Sequence, residues 1–150
     1  MATAQPDLSD RPHGLVVERH MNASPAALYA AWTEGWEHWF AAPGTVLMRA
    51  EVYAPFFLLV EHGGRRFPHY GRFLRLERDR LVKLTWLTGQ GGTDGAETVV
   101  TVELEATGSG TRLTLSHKGF YTEAAARQHE EAWPMVLAQM DARISGNPGS

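Results

Sequence analysis

The 150-residue chain contains no cysteine. That excludes disulfides, thiol catalysis and thiolate metal sites, and it suits a reducing compartment. No run of lysine or arginine stands out and the formal net charge is -3 with histidine neutral, so the basic footprint of a nucleic-acid binder is missing. No apolar run approaches the roughly 20 residues needed to cross a bilayer. Residues 1–14 mix Pro, Asp, Ser and Arg without the apolar segment of a secretory signal. A cytoplasmic protein with no cofactor and no metal is expected. The run Gly89 to Gly95 lacks the Lys-Ser/Thr ending of a nucleotide loop and does not lead from a strand into a helix, so it reads as a flexible hairpin loop. No Ser-His-Asp set stands in a nucleophile-elbow context, and no catalytic residue is assigned.

What is present fits one domain, large enough to bury a core without staples. Residues 1–14 read as a loose arm, 15–145 as the domain and 146–150 as a tail. Near the end, Thr122 to Ile144 carries Trp133, Val136, Leu137, Met140 and Ile144 at helical spacing, so they share one face of a long helix. Arg127, Glu131, Gln139 and Asp141 are assigned to the opposite face. The Thr122 hydroxyl can accept from amides of the first turn. Pro134 removes one helical hydrogen bond and predicts a bend or interruption near Glu130.

Before that helix the pattern changes period. Leu15 to Met21 reads as a strand. Ser24-Pro25 opens a short helix to Trp32, and Trp36 to Phe40 makes another helical turn. Strands are then expected over 45–52, 56–61, 67–76, 81–87, 97–105 and 111–118. His62-Gly63-Gly64-Arg65 is a hairpin turn, because paired glycines allow positive backbone angles. Alternation places Val100, Val102 and Leu104 on one face of their strand, and Leu113, Leu115 and His117 on one face of the next. Short turns favour an antiparallel sheet, and a twisted sheet can wrap a long helix. The fold class is α+β: one strand, two short helices, about six strands and a long helix.

This order resembles the helix-grip fold of the START-like superfamily, also called SRPBCC or birch-pollen-allergen-like. Within it the chain looks like the family named for the activator of the heat-shock protein 90 ATPase. The resemblance runs from about Leu15 to Ile144. It is carried by Asn22-Ala23-Ser24-Pro25 with Leu28-Tyr29-Ala30-Ala31-Trp32, then Trp39, Gly71 with Phe73, and Arg80 to Trp86. It continues through Thr98 to Leu104, Gly110 to His117, and Trp133 with Leu137. It implies a curved sheet gripping the last helix and leaves activity open, since the superfamily covers carriers, cyclases and oxygenase subunits. Two departures stand out. Ala54-Pro55-Phe56-Phe57 occupies the place of a glycine pair, so large rings should narrow the space nearby. Ala132-Trp133-Pro134 replaces a Gly-Trp.

The expected function is a small hydrophobic-ligand binding protein with its cavity between sheet and last helix. The lining is read as Trp86, Val100, Val102, Leu115, His117, Trp133, Leu137 and Met140, with Tyr70 and His129 joining it. Each has a plainer reading. His117 can be a buried histidine satisfied by its neighbours, and Trp86 and Trp133 can be core packing. Trp32, Trp36, Trp39 and Phe40 either cap the cavity or form the underside of the small helices. His62, His69 and Tyr70 read as a solvated hairpin, since a metal would need a third ligand. Two alternatives are carried: a cyclase- or hydrolase-type enzyme using His117 with His129, and a chaperone-binding module by family analogy alone. The expected partner is a small hydrophobic molecule. Nucleic acid and membrane are excluded, and a homodimer is left open.

Overall fold

The computed structural model describes residues 5–144, so the expected tail at 146–150 lies outside the described residues. Its elements are β1 (His13–Met21), α1 (Pro25–Thr33), a 3-10 turn (Trp36–His38), β2 (Pro55–His62), β3 (Arg65–Glu77), β4 (Leu81–Trp86), β5 (Thr98–Thr107), β6 (Gly110–Phe120) and α2 (Glu123–Ile144). The strands form a six-stranded antiparallel sheet in the order β1-β6-β5-β4-β3-β2. The one long connection carries the chain from edge β1 to edge β2 through α1 and the 3-10 turn. The α+β helix-grip architecture is therefore present.

Cross-strand registry gathers the inward residues into rows. Leu15 faces His117, which faces Val100, then Leu84, then Phe73. A second row runs Val17, Leu115, Val102, Val82 and Leu76. Such rows bury apolar side chains on one face of each strand. The helix α2 covers the β1 side of this face. It buries Ala125, Ala126, Trp133, Leu137 and Met140 against it. It starts where Thr122 accepts from the Ala125 amide at 3.1 Å and runs through Pro134 without a break. No interruption near Glu130 is seen, because packing of the helix's apolar face outweighs one lost backbone bond.

The remainder of the inner face is filled with rings. Trp32 packs edge-on to Trp36 at 5.2 Å, Trp36 stacks on Trp86 at 5.5 Å, and Trp133 lies 6.1 Å from Trp32 and 6.2 Å from Trp86. Phe56 adds itself 6.4 Å from Trp36 and 5.5 Å from Phe73. Its ring lies over Gly71, where a Cβ would come within 2.3 Å of the ring and 2.2 Å of the Thr85 carbonyl oxygen. Gly71 is required by this close approach. The Phe56 ring thus narrows the space as the sequence implies, whereas Phe57 lies on the other face beside Tyr70, and the tryptophans at 32, 36 and 39 form the underside of the small helices.

Two expectations are corrected. The stretch 45–52 is not a strand. It touches the sheet through single bridges, Leu47 to Phe57 and Val52 to Phe73. The Thr45 hydroxyl accepts from the Leu59 amide at 3.2 Å, so a side chain stands where a ladder carbonyl would be. Within the segment 1–14, the Arg11 guanidinium donates to the carbonyls of Gly119 at 2.7 Å and Glu97 at 2.9 Å. Asp141 is not on the solvent face. It is 3% exposed, one turn beyond Leu137. Its carboxylate accepts from the amides of Asn22 at 2.9 and 3.0 Å and of Ala23 at 3.3 Å, with Arg19 at 4.0 Å.

Asp141 thus ties the last turns of α2 to the junction of β1 and α1. Asp141→Ala strands two amides, and such buried charge-assisted bonds cost about 2–4 kcal/mol to remove. The expected result is a lower urea midpoint with an unchanged m-value. A change within about 0.5 kcal/mol would show that the tie is not needed.

Candidate functional site

A cavity of about 450 Å³ opens where β3, β4, the loop after β4 and the first half of α2 meet. Its walls are Phe67, Pro68, His69, Trp86, Thr88, Gly89, Gln90, Gly91, Gly92 and His129. The volume is in the range of small-molecule sites. No lysine, arginine or carboxylate is among these walls. A larger cleft of about 790 Å³ lies at the opposite end of β4. It is lined by acids and arginines, of which Arg112 pairs with Glu105 at 3.1 Å, and by no aromatic ring. The smaller cavity is the better candidate, because apolar rings and fixed polar groups converge on it.

Of the residues expected to line a ligand, Trp86 and His129 border this cavity. Val100, Val102, Leu115, Leu137 and Met140 are fully buried in the core and are not among its walls. Trp133 is packed between Trp32 and Trp86. Tyr70 lies on the outer face of β3, 46% exposed, beside Phe57 at 5.3 Å. Its neighbour His69 takes the inward place. It faces Leu58 across the β2–β3 ladder and meets Trp86 at 4.9 Å and Phe40 at 5.7 Å. His69 is missing from the sequence reading of the site, as are Phe67 and Gln90. The signal for His69 was phase, since it alternates with Phe67 and Phe73 on the inward face.

His117 is a buried linker. The Trp133 indole donates to its Nδ1 at 3.1 Å. Its Nε2 is 2.7 Å from the Thr98 hydroxyl, and that hydroxyl sits 2.5 Å from the Trp86 carbonyl oxygen. A carbonyl only accepts, so Thr98 donates to Trp86 and must accept from His117. The ring is therefore neutral with its proton on Nε2, assigned by its partners. Burial, with His129 nearby, holds its pKa well below the usual value. His117 and His129 do meet edge-to-face at 5.3 Å. Both nitrogens of His117 are occupied, however, and it does not open onto the cavity, so the pair cannot share a substrate. That corrects the two-histidine enzyme reading.

The cavity histidines are arranged differently. His69 Nδ1 lies 3.0 Å from the Phe67 carbonyl and His129 Nδ1 lies 2.8 Å from the Ala125 carbonyl. Each Nδ1 must carry the proton, which leaves each Nε2 as an acceptor. Burial lowers the pKa of His69 to about 4, against the opposing effect of the Phe67 carbonyl, with a further lowering from His129. His129 is lowered by burial, opposed by the Ala125 carbonyl and Asp94. Both rings are neutral at physiological pH.

The loop that closes the cavity is not slack, contrary to the flexible hairpin expected from its glycines. Thr88 and Thr93 clasp each other: the Thr88 amide donates to the Thr93 hydroxyl at 2.9 Å and the Thr93 amide to the Thr88 hydroxyl at 2.8 Å. Both residues are buried. Gly92 lies against Thr88, where a Cβ would come within 2.1 Å of the hydroxyl oxygen. Gln128 on α2 donates to the Gly91 carbonyl at 3.3 Å.

Three histidines with lowered pKa values make stability depend on pH. The unfolded chain binds protons near pH 6.5, while these folded rings bind them only lower. Their contribution is therefore complete above about pH 6.5 and is lost as pH falls toward about 4, the value of His69. The slope is up to about 1.4 kcal/mol per pH unit for each ring. Urea midpoints should fall steadily from neutrality to acid, and less so in His69→Phe. A flat profile would contradict neutral burial. His117→Leu, which strands the Trp133 indole and a Thr98 lone pair, should cost about 2–4 kcal/mol.

Comparison with known proteins bears on the fold and the family. Among curated proteins, none matches the sequence. Protein CV1439 from Chromobacterium violaceum superposes with a TM-score of 0.74 at 20% identity, over 88% of this chain and 96% of its own. The AHSA1 protein from Silicibacter pomeroyi gives 0.73 at 24% identity, over 88% and 97%. CalU16 from Micromonospora echinospora gives 0.66 at 23% identity, over 88% and 76%. These likenesses establish the fold. The sequence model of the family described as Activator of Hsp90 ATPase homolog 1-like protein matches residues 22–145. With most of its length matched, the chain belongs to the Activator of Hsp90 ATPase homolog 1-like protein family.

Proposed function

We propose that the protein binds a small, largely apolar molecule in the cavity between β3, β4, the 88–95 loop and α2. The observation that carries this reading is the convergence of Trp86, Phe67 and two neutral imidazoles with free Nε2 atoms on one cavity with no charged wall residue. Neither histidine is fully buried and neither Nε2 is sealed from solvent, so water or a ligand can meet each acceptor. Two such acceptors beside apolar rings describe a binding site better than a packing fault. The location differs from the one expected at first. The centre under α2 is occupied by tryptophan rings, so the ligand sits at the rim, where Trp86 ends the cluster. No described helix is long and apolar enough to cross a membrane. The cytoplasm is the proposed location, from the cysteine-free composition.

A ligand that binds only the folded state raises stability by about 2.7 kcal/mol at a hundredfold excess over Kd. For a chain of this size that is a rise of several degrees in Tm. A thermal-shift screen of small apolar molecules, with native mass spectrometry of the freshly purified protein, should find at least one such ligand. Phe67 is 38% exposed, so Phe67→Asp should fold, yet weaken that ligand severalfold by placing a charge on the cavity wall. A screen without any shift and a purified protein free of small molecules would end the reading.

A further inference from the structure

The cavity walls also say what the ligand must offer. The two histidines present acceptors, because both Nδ1 atoms are committed to backbone carbonyls. Trp86 presents a donor. It is 3% exposed and lines the cavity, and among the described residues no protein group accepts from its indole N–H. Gln90 adds an amide at the rim. A hydroxyl is the small neutral group that can donate to an imidazole and accept from an indole at once. The surrounding faces are rings: Trp86 and Phe67 in the wall, and Phe40 behind His69 and Trp86 at 5.7 and 5.8 Å. Aromatic faces favour a flat ring system over a branched aliphatic one. An ionised ligand would meet no countercharge among the walls and would lose its hydration. The titratable groups facing the cavity are His69 and His129. Asp94, which acts electrostatically on His129, is acidic and would repel an anion.

We infer that the cavity selects an uncharged, flat aromatic molecule bearing a hydroxyl group, whose O–H donates to the Nε2 of His69 or His129. This rests on the small-molecule reading above and narrows it to a chemical class. It assigns His69, His129 and Trp86 as the groups that set specificity. A carboxylate on the same ring system is rejected, because each imidazole proton is committed on Nδ1 to a backbone carbonyl and neither Nε2 has one to donate.

The test uses the intact chain near neutral pH and three probes with one ring system: naphthalene, 2-naphthol and 2-naphthoate. Binding is read by calorimetry and by tryptophan fluorescence. 2-Naphthol is expected to bind about tenfold more tightly than naphthalene, the worth of one well-made hydrogen bond, and 2-naphthoate more weakly than 2-naphthol. His69→Phe and His129→Phe keep a ring and remove an acceptor. In at least one of them, or in the double variant, 2-naphthol should fall to the affinity of naphthalene while naphthalene binding persists, which also reports that the variant is folded. Nitrogen-15 spectra should show unprotonated Nε2 atoms at both residues, with at least one moving toward the hydrogen-bonded position when 2-naphthol is added. Equal affinities, a preference for 2-naphthoate, or an undiminished 2-naphthol preference in the double variant would overturn the inference while leaving the cavity as a binding site. Failure of all three probes to bind would overturn it as well. The broader screen then judges the binding reading separately.

Discussion

A one-way chain of hydrogen bonds holds the middle of this fold. It runs from the Trp133 indole to His117, from His117 to Thr98, and from Thr98 to the carbonyl of Trp86. It joins α2 to β6, β5 and β4 in turn. Each donor and acceptor in it has one role, so the imidazole is fixed in both orientation and tautomer. A buried polar chain of this kind is favourable only when complete. Here it is complete, and it sets where Trp133 and Trp86 can stand. The ring cluster and the cavity edge follow from those two positions.

The same chain separates two kinds of histidine that composition cannot tell apart. His117 spends both nitrogens on the protein and is inert. His69 and His129 spend one each and keep the other. All three are held neutral chiefly by burial. The chemistry open to each is decided by which atoms remain uncommitted, more than by basicity. That is why the candidate site moved from the centre of the helix to its first half, where His129 and the clasped loop meet the end of β3.

The layout was legible in the sequence because period and punctuation agreed. The steps from Trp133 to Ile144, the paired glycines at 63 and 64 with their positive φ angles, and the alternation through Val100 and Leu115 all have one physical reading. The site was less legible. In β3 the run Phe67-Pro68-His69-Tyr70-Gly71 has apolar or aromatic residues at both phases, so the choice between Tyr70 and His69 turned on one residue of register. Gly71 gives no phase signal, since its inward place is taken by the Phe56 ring from the neighbouring strand. Asp141 was misplaced because charge suggested solvent, whereas its spacing from Leu137 and Met140 put it on the buried face. Thr88 and Thr93 carry no sequence mark of their clasp, which exists only once the loop has turned back on itself.

The buried carboxylate near the end of α2 has a consequence for how the chain comes together. The amides it receives stand at positions 22 and 23, just after β1, while the acceptor is at 141. During synthesis those amides wait for nearly the entire domain before their partner leaves the ribosome. Sequence-distant closure of this kind is slow and makes folding cooperative. The sheet can assemble earlier, but the start of α1 is locked only by the last turns to be made. A nascent chain stopped short of Asp141 should therefore keep that junction open and available to chaperones.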